Sequence, residues 1–148
     1  MDFTGWLLDT NMLLSNLKSF VQTHRSKGRG EAFGFDDITT ETYLKWAFSH
    51  DYLILQTRDS EITGIAIIYP VKDTSSDDAI CTFNYKIPRD KEHLYAICIM
   101  DMISLDSEST KNIVKDFKIR YPHWDCCKKW ALRFGNLKEI TNQYINLL

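Results

Sequence analysis

The stretch Leu94 to Tyr121 constrains this chain more than any other. It opens with an unbroken apolar run, Leu94-Tyr95-Ala96-Ile97-Cys98-Ile99-Met100, followed by Asp101, Met102, Ile103, Ser104 and Leu105. A strand apolar on both faces belongs in the middle of a sheet, covered above and below. A polar break at Asp106 to Ser109 then leads into a helical pattern, with Ser107 or Ser109 as the expected cap. Ile113, Val114, Phe117 and Ile119 form its expected buried stripe, and Pro122 disfavours helix at Tyr121. A strand–turn–helix unit of this kind is a place where an anionic ligand meets a helix N-terminus.

At 148 residues the chain fits one domain, 1–148, with one core. Hydrophobic residues make up 44% and charged residues 26%, which argues against disorder. A formal charge of −2 and a pI near 6.1 give no electrostatic footprint for a polyanion, so nucleic acid is not expected as a partner. No apolar run approaches the roughly 20 residues that span a bilayer. The start, Met1-Asp2-Phe3-Thr4-Gly5-Trp6, lacks the basic region of a signal peptide, so a cytoplasmic location is the expectation. Cys98 reads as a small core hydrophobe, and a bond between the adjacent Cys126 and Cys127 would be strained. His123, Cys126 and Cys127 lack a second ligand pair at zinc spacing, so no metal is expected.

Taken in order, Thr10 or Asn11 caps a first helix running to about His24, with Leu13, Leu14, Leu17, Phe20 and Val21 on one face. Thr23 to Gly30 is a basic, glycine-containing loop that reads as a solvated helix end, with a phosphate cradle as the sharper alternative. Thr39 or Thr40 caps a second helix whose face carries Tyr43, Leu44, Trp46, Ala47 and Phe48. Tyr52–Thr57 and Ile62–Val71 read as strands of an antiparallel hairpin turning at Arg58-Asp59-Ser60-Glu61. Lys72 to Asp78 is a polar loop, and Ile80 to Tyr85 a short edge strand. After the third helix, Lys129–Phe134 is a strand and Gly135-Asn136 a turn. Leu137–Leu148 closes the chain as a strand or short helix, with Ile140, Tyr144 and Ile145 inward.

This order of two helices, hairpin, central strand, helix and strand resembles the GNAT acetyltransferase superfamily over roughly residues 11 to 140. The hairpin is the most typical piece: Tyr52-Leu53-Ile54-Leu55-Gln56, a polar turn, then Ile62-Thr63-Gly64-Ile65-Ala66-Ile67-Ile68. The ending, from Tyr121-Pro122-His123-Trp124 to Trp130-Ala131-Leu132-Arg133-Phe134-Gly135-Asn136-Leu137-Lys138, is similar to GNAT-type proteins encoded by bacteriophages. The implied fold is a single α+β or α/β GNAT-like domain, a mixed, mostly antiparallel sheet flanked by helices. The implied cofactor is acetyl-coenzyme A. Its pantetheine arm would face Met102, Ile103, Ser104 and Leu105, and its pyrophosphate would lie over Asp106 to Lys111, held by Ser107, Ser109, Thr110 and Lys111. Asp101, Glu92 or His93 would serve as the base, and Tyr121 or Tyr144 as the acid.

The chain departs from the family at the pyrophosphate loop. Ser104 to Lys111 contains no glycine, and it sets Asp106 and Glu108 where a doubly charged anion should sit. That departure places a non-enzymatic binding or structural protein first, a bacteriophage virion or accessory component that engages a protein partner or self-assembles. Aromatic residues, 13% of the chain, would supply the interface anchors, and the location would then be the virion. The alternative is an acyl-CoA-dependent N-acyltransferase acting on an amine.

Overall fold

In a computed structural model the described residues are 3–24, 37–72, 95–133 and 136–148. They form a mixed α+β structure around one five-stranded sheet of order β1-β2-β3-β4-β5. Two helices come first, α1 (Phe3–His24) and α2 (Asp37–Ser49). Strands β1 (Leu53–Arg58), β2 (Glu61–Lys72) and β3 (Tyr95–Ser104) follow, then helix α3 (Ser107–Arg120). A 3₁₀ turn (Trp124–Cys126), β4 (Lys129–Arg133), β5 (Asn136–Glu139) and helix α4 (Asn142–Leu147) complete the chain. All neighbouring strands are antiparallel except β3 and β4, which are parallel because α3 carries the chain from one to the other.

The apolar run from Tyr95 onward becomes the central strand, as its two-faced pattern requires. Ala96, Cys98, Met100 and Ile103 pack toward α1 and α2, with Leu17, Val21, Leu44 and Ala47. Ile97, Ile99 and Met102 pack on the other face, with Ile113, Phe117 and Tyr121. The expected aromatic face of α2 is core. Trp46 meets Tyr69 edge-on at 5.3 Å between ring centroids and stacks near Tyr43 at 5.8 Å.

The β1–β2 hairpin turns through Asp59 and Ser60, both at positive φ (52° and 67°), the conformation that matches the twist of the flanking strands. Close approach explains Gly64. A Cβ there would lie 2.9 Å from Ile113 Cδ1, and Ile113 is 1% exposed with nowhere to move. α3 therefore lies directly on β2.

Several expected boundaries shift. α1 begins at Phe3 rather than at Thr10 or Asn11, since no proline interrupts that stretch. α2 begins at Asp37, which leaves Thr40 inside the helix and buried. α3 is capped by Asp106, not by Ser107 or Ser109. Ile119 is 67% exposed, because the buried stripe runs through Ser109, Ile113 and Phe117 and leaves it out of phase. The C-terminal segment holds both a strand and a helix; Ile145 is buried, whereas Tyr144 faces solvent. The basic loop after His24, the loop from 73, the strand at Ile80 to Tyr85, Glu92, His93 and Cys81 lie outside the described residues.

Candidate functional site

Two irregularities shape the carboxyl half of β3. Its pairing with β2 runs Ile67↔Asp101 and then Ile68↔Ile99, so Met100 has no partner in β2 and forms a bulge. Its pairing with β4 covers Ile97, Cys98 and Ile99 alone, opposite Lys129, Trp130 and Ala131. β3 itself continues to Ser104, while β4 stays paired with β5 as far as Arg133. Among the described residues, the β4-side edge of β3 has no strand partner from Met100 onward. The bulge also changes the phase of the strand, so Asp101 points to the α1–α2 face along with Cys98 and Met100.

Asp101 is 4% exposed, which is unusual for a carboxylate. The Tyr43 hydroxyl of α2 donates to its Oδ2 at 3.5 Å. Burial, and then the Asp101 charge, hold the Tyr43 hydroxyl well above its usual pKa, so it stays a donor. Cys98, two residues before the bulge, interacts with the Tyr69 hydroxyl, and burial pushes its thiol up to about 11. Trp130 on β4 sits opposite Cys98, and its indole Nε1 is buried with no acceptor among the described residues. A carboxylate, two phenols, a thiol and an indole N–H therefore gather on one face, where β3 and β4 part. The apolar pattern of β3 singled out Asp101; its partners lie far away in sequence, and only the fold brings them together.

The other expected site residues form a second group, around the N-terminus of α3. Asp106 Oδ1 accepts from the Ser109 amide at 2.8 Å. Arg58, at the tip of the β1–β2 hairpin, bonds Asp106 at 3.2 Å and Glu108 at 3.0 Å. The Ser109 amide, and then Arg58, hold the Asp106 carboxyl below the usual range. The hydroxyls face inward. Ser104 Oγ donates to Asp106 O at 2.9 Å, Thr110 Oγ1 to Ser104 Oγ at 2.8 Å, and Ser109 Oγ to Thr63 Oγ1 at 2.7 Å. Thr63 is itself a bulge, skipped between Gln56↔Gly64 and Thr57↔Ile62, and its carbonyl accepts from the Leu105 amide at 2.9 Å. Met102 and Ile103 are half-buried on opposite faces, while Leu105, Ser107 and Lys111 are exposed. The two carboxylates that stood out in the sequence are thus a helix cap and its partner on Arg58. Their charges stand where the resemblance would place a pyrophosphate.

Tyr121 lies on the other face from Asp101, with its hydroxyl donating to Ile68 O at 3.2 Å. The structure does not bring these two together as base and acid. Cys98, Cys126 and Cys127 are free thiols, and no group of three or more metal-ligating side chains occurs among the described residues. No described helix is long and apolar enough to cross a membrane. No family profile, curated protein or solved structure matches the chain.

Proposed function

We propose that this protein is an N-acyltransferase on a GNAT-like scaffold, taking an acyl thioester on a pantetheine arm and an amine as acceptor. One observation carries the reading: β3 bulges at Met100 and parts from β4 there, beside the buried Asp101. A strand edge left without a partner offers amides and carbonyls at regular spacing, and an extended, amide-bearing arm pairs with them as an added strand would. Among the described residues, most aromatic side chains are buried or half-buried. Tyr43, Trp46, Tyr52 and Tyr69 pack on one another, and Tyr144 is the one aromatic among the large exposed apolar residues described.

In this reaction the amine nitrogen attacks the thioester carbonyl. The C–N bond forms, the C–S bond breaks, and the amine proton passes by way of Asp101 to the departing pantetheine thiolate. The Tyr43 hydroxyl orients the Asp101 carboxylate. The bulge leaves Met100 outside the β2 register, and its amide is the candidate donor to the carbonyl oxygen. Tyr121 takes no part.

A second reading is a non-enzymatic binding or structural protein, including a bacteriophage virion or accessory component. The N-terminus of α3 favours it, because Asp106 and Glu108 set two carboxylates, paired with Arg58, where a pyrophosphate would have to lie. Titration of the labelled protein with millimolar S-acetylpantetheine, followed by amide NMR, separates the two. The acyltransferase reading expects saturable shifts at Met100 to Leu105. An unchanged spectrum removes it and leaves the binding protein.

A further inference from the structure

We infer that the acyl group reaches this protein on the phosphopantetheine arm of an acidic carrier protein, not on free coenzyme A. This rests on the strand-edge reading above and deepens it by naming the donor class. Coenzyme A and a carrier share the phosphopantetheine arm and differ in what lies beyond it. Coenzyme A continues into a pyrophosphate and a nucleotide; a carrier presents a single phosphodiester on a serine of its own surface.

The place where the arm would leave the edge of β3 is electrostatically unfavourable to a second phosphate. Asp106 holds the first turn of α3, Arg58 is committed to both Asp106 and Glu108, and the nearby hydroxyls bond one another. Binding a pyrophosphate there would set two like charges against two carboxylates and would break the Arg58 pairs. α3 cannot retreat to make room on the sheet side, because Gly64 already lets it touch β2 through Ile113 and Ser109. Beyond its first turn, the outer surface of the same helix carries lysines. Lys111, Lys115 and Lys118 recur at i, i+4 and i+7 and form one basic stripe, with Lys111 and Lys115 exposed. In a chain of net charge −2, that stripe is a local feature suited to an acidic surface. The acidic seat and the basic stripe together select a protein-borne arm.

The test is calorimetric titration of the full chain with four probes: S-acetylpantetheine, acetyl-coenzyme A, and an acidic acyl carrier protein with and without a non-hydrolysable acetyl-phosphopantetheine arm. The loaded carrier is expected to bind at least about tenfold tighter than acetyl-coenzyme A, with the unloaded carrier weaker than the loaded one. Lys111→Glu with Lys115→Glu is expected to bring the loaded carrier down to the affinity the unaltered protein has for S-acetylpantetheine. Asp106→Ser with Glu108→Gln keeps a capping residue and removes both charges, and it is expected to raise acetyl-coenzyme A affinity about tenfold. Acetyl-coenzyme A binding as tightly as the loaded carrier overturns the inference while the strand-edge reading stands. Equal binding of loaded and unloaded carrier also overturns it. Failure of S-acetylpantetheine itself removes the acyltransferase reading instead.

Discussion

Lys129 is 2% exposed, yet its charge is fully provided for. Its ammonium donates to Trp124 O at 2.9 Å, Cys127 O at 2.8 Å and Asn142 Oδ1, and it lies 5.5 Å from the Trp124 ring centroid. Burial lowers its pKa, and the three acceptors answer its three protons. Asn142 in turn donates to Asp125 O at 2.8 Å, so one lysine joins the 3₁₀ turn, β4 and α4. Lys129→Ala leaves two carbonyls and an amide without their donor, and it should cost about 2–3 kcal/mol in chemical denaturation. A loss under about 0.5 kcal/mol, on the scale of ordinary surface changes, would show that water serves these groups as well. Asp101 presents a different case, a buried carboxylate oriented by a tyrosine hydroxyl and set beside a parted strand edge. If it passes the proton, Asp101→Asn should lower turnover on the order of a hundredfold and spare S-acetylpantetheine affinity. An equal loss of both would make Asp101 a structural residue.

At the scale of elements, the junction of β3 and α3 is held by contacts from three parts of the chain. The cap Asp106, the hairpin tip Arg58 and the bulged Thr63 come from three separate elements, and they lock the first turn of α3 against β2. The Asp106 carboxyl is depressed in the folded protein, so its contribution is present above the unfolded carboxylate value, about 3.9, and is lost as pH falls through the folded one. Thermal stability should therefore fall on acidification below about pH 4, and Asp106→Ala should lower the midpoint at about pH 7 while flattening that acid limb. An acid limb identical in the variant would mean that other carboxylates carry it. α3 is held at its far end too, where Arg120 donates to Asp51 O and Leu53 O, each at 3.0 Å.

Over the whole molecule, one sheet carries two apolar layers, and Ile65 and Ile113 stand for them, one on each side. Because both layers rest on β2 and β3, neither should unfold alone. Ile65→Ala and Ile113→Ala should each cost about 2–5 kcal/mol, with tryptophan fluorescence and far-UV dichroism losing signal at one midpoint. Two separated transitions would show that the layers are independent. Much of this architecture was legible in the chain, for simple reasons. An apolar run without alternation has to be a two-faced central strand, an Asp59-Ser60 turn between β-rich runs has to be a hairpin, and a stripe at helical spacing has to face a sheet. Those are local rules, and they need only neighbours in sequence. The site was legible only in outline. Asp101 and the segment to Lys111 could be named, but the meaning of Asp106 and Glu108 depended on Arg58, about fifty residues earlier. Tyr43, Tyr69 and Trp130 came together beside β3 only when α2, β2 and β4 packed against it. The sequence by itself determined the central strand, the hairpin and the main buried stripes of the helices, though not every boundary or buried position. Tertiary structure alone decided which charges are answered and which stretch of β3 has no strand partner among the described residues, because those depend on contacts between residues that no local pattern relates.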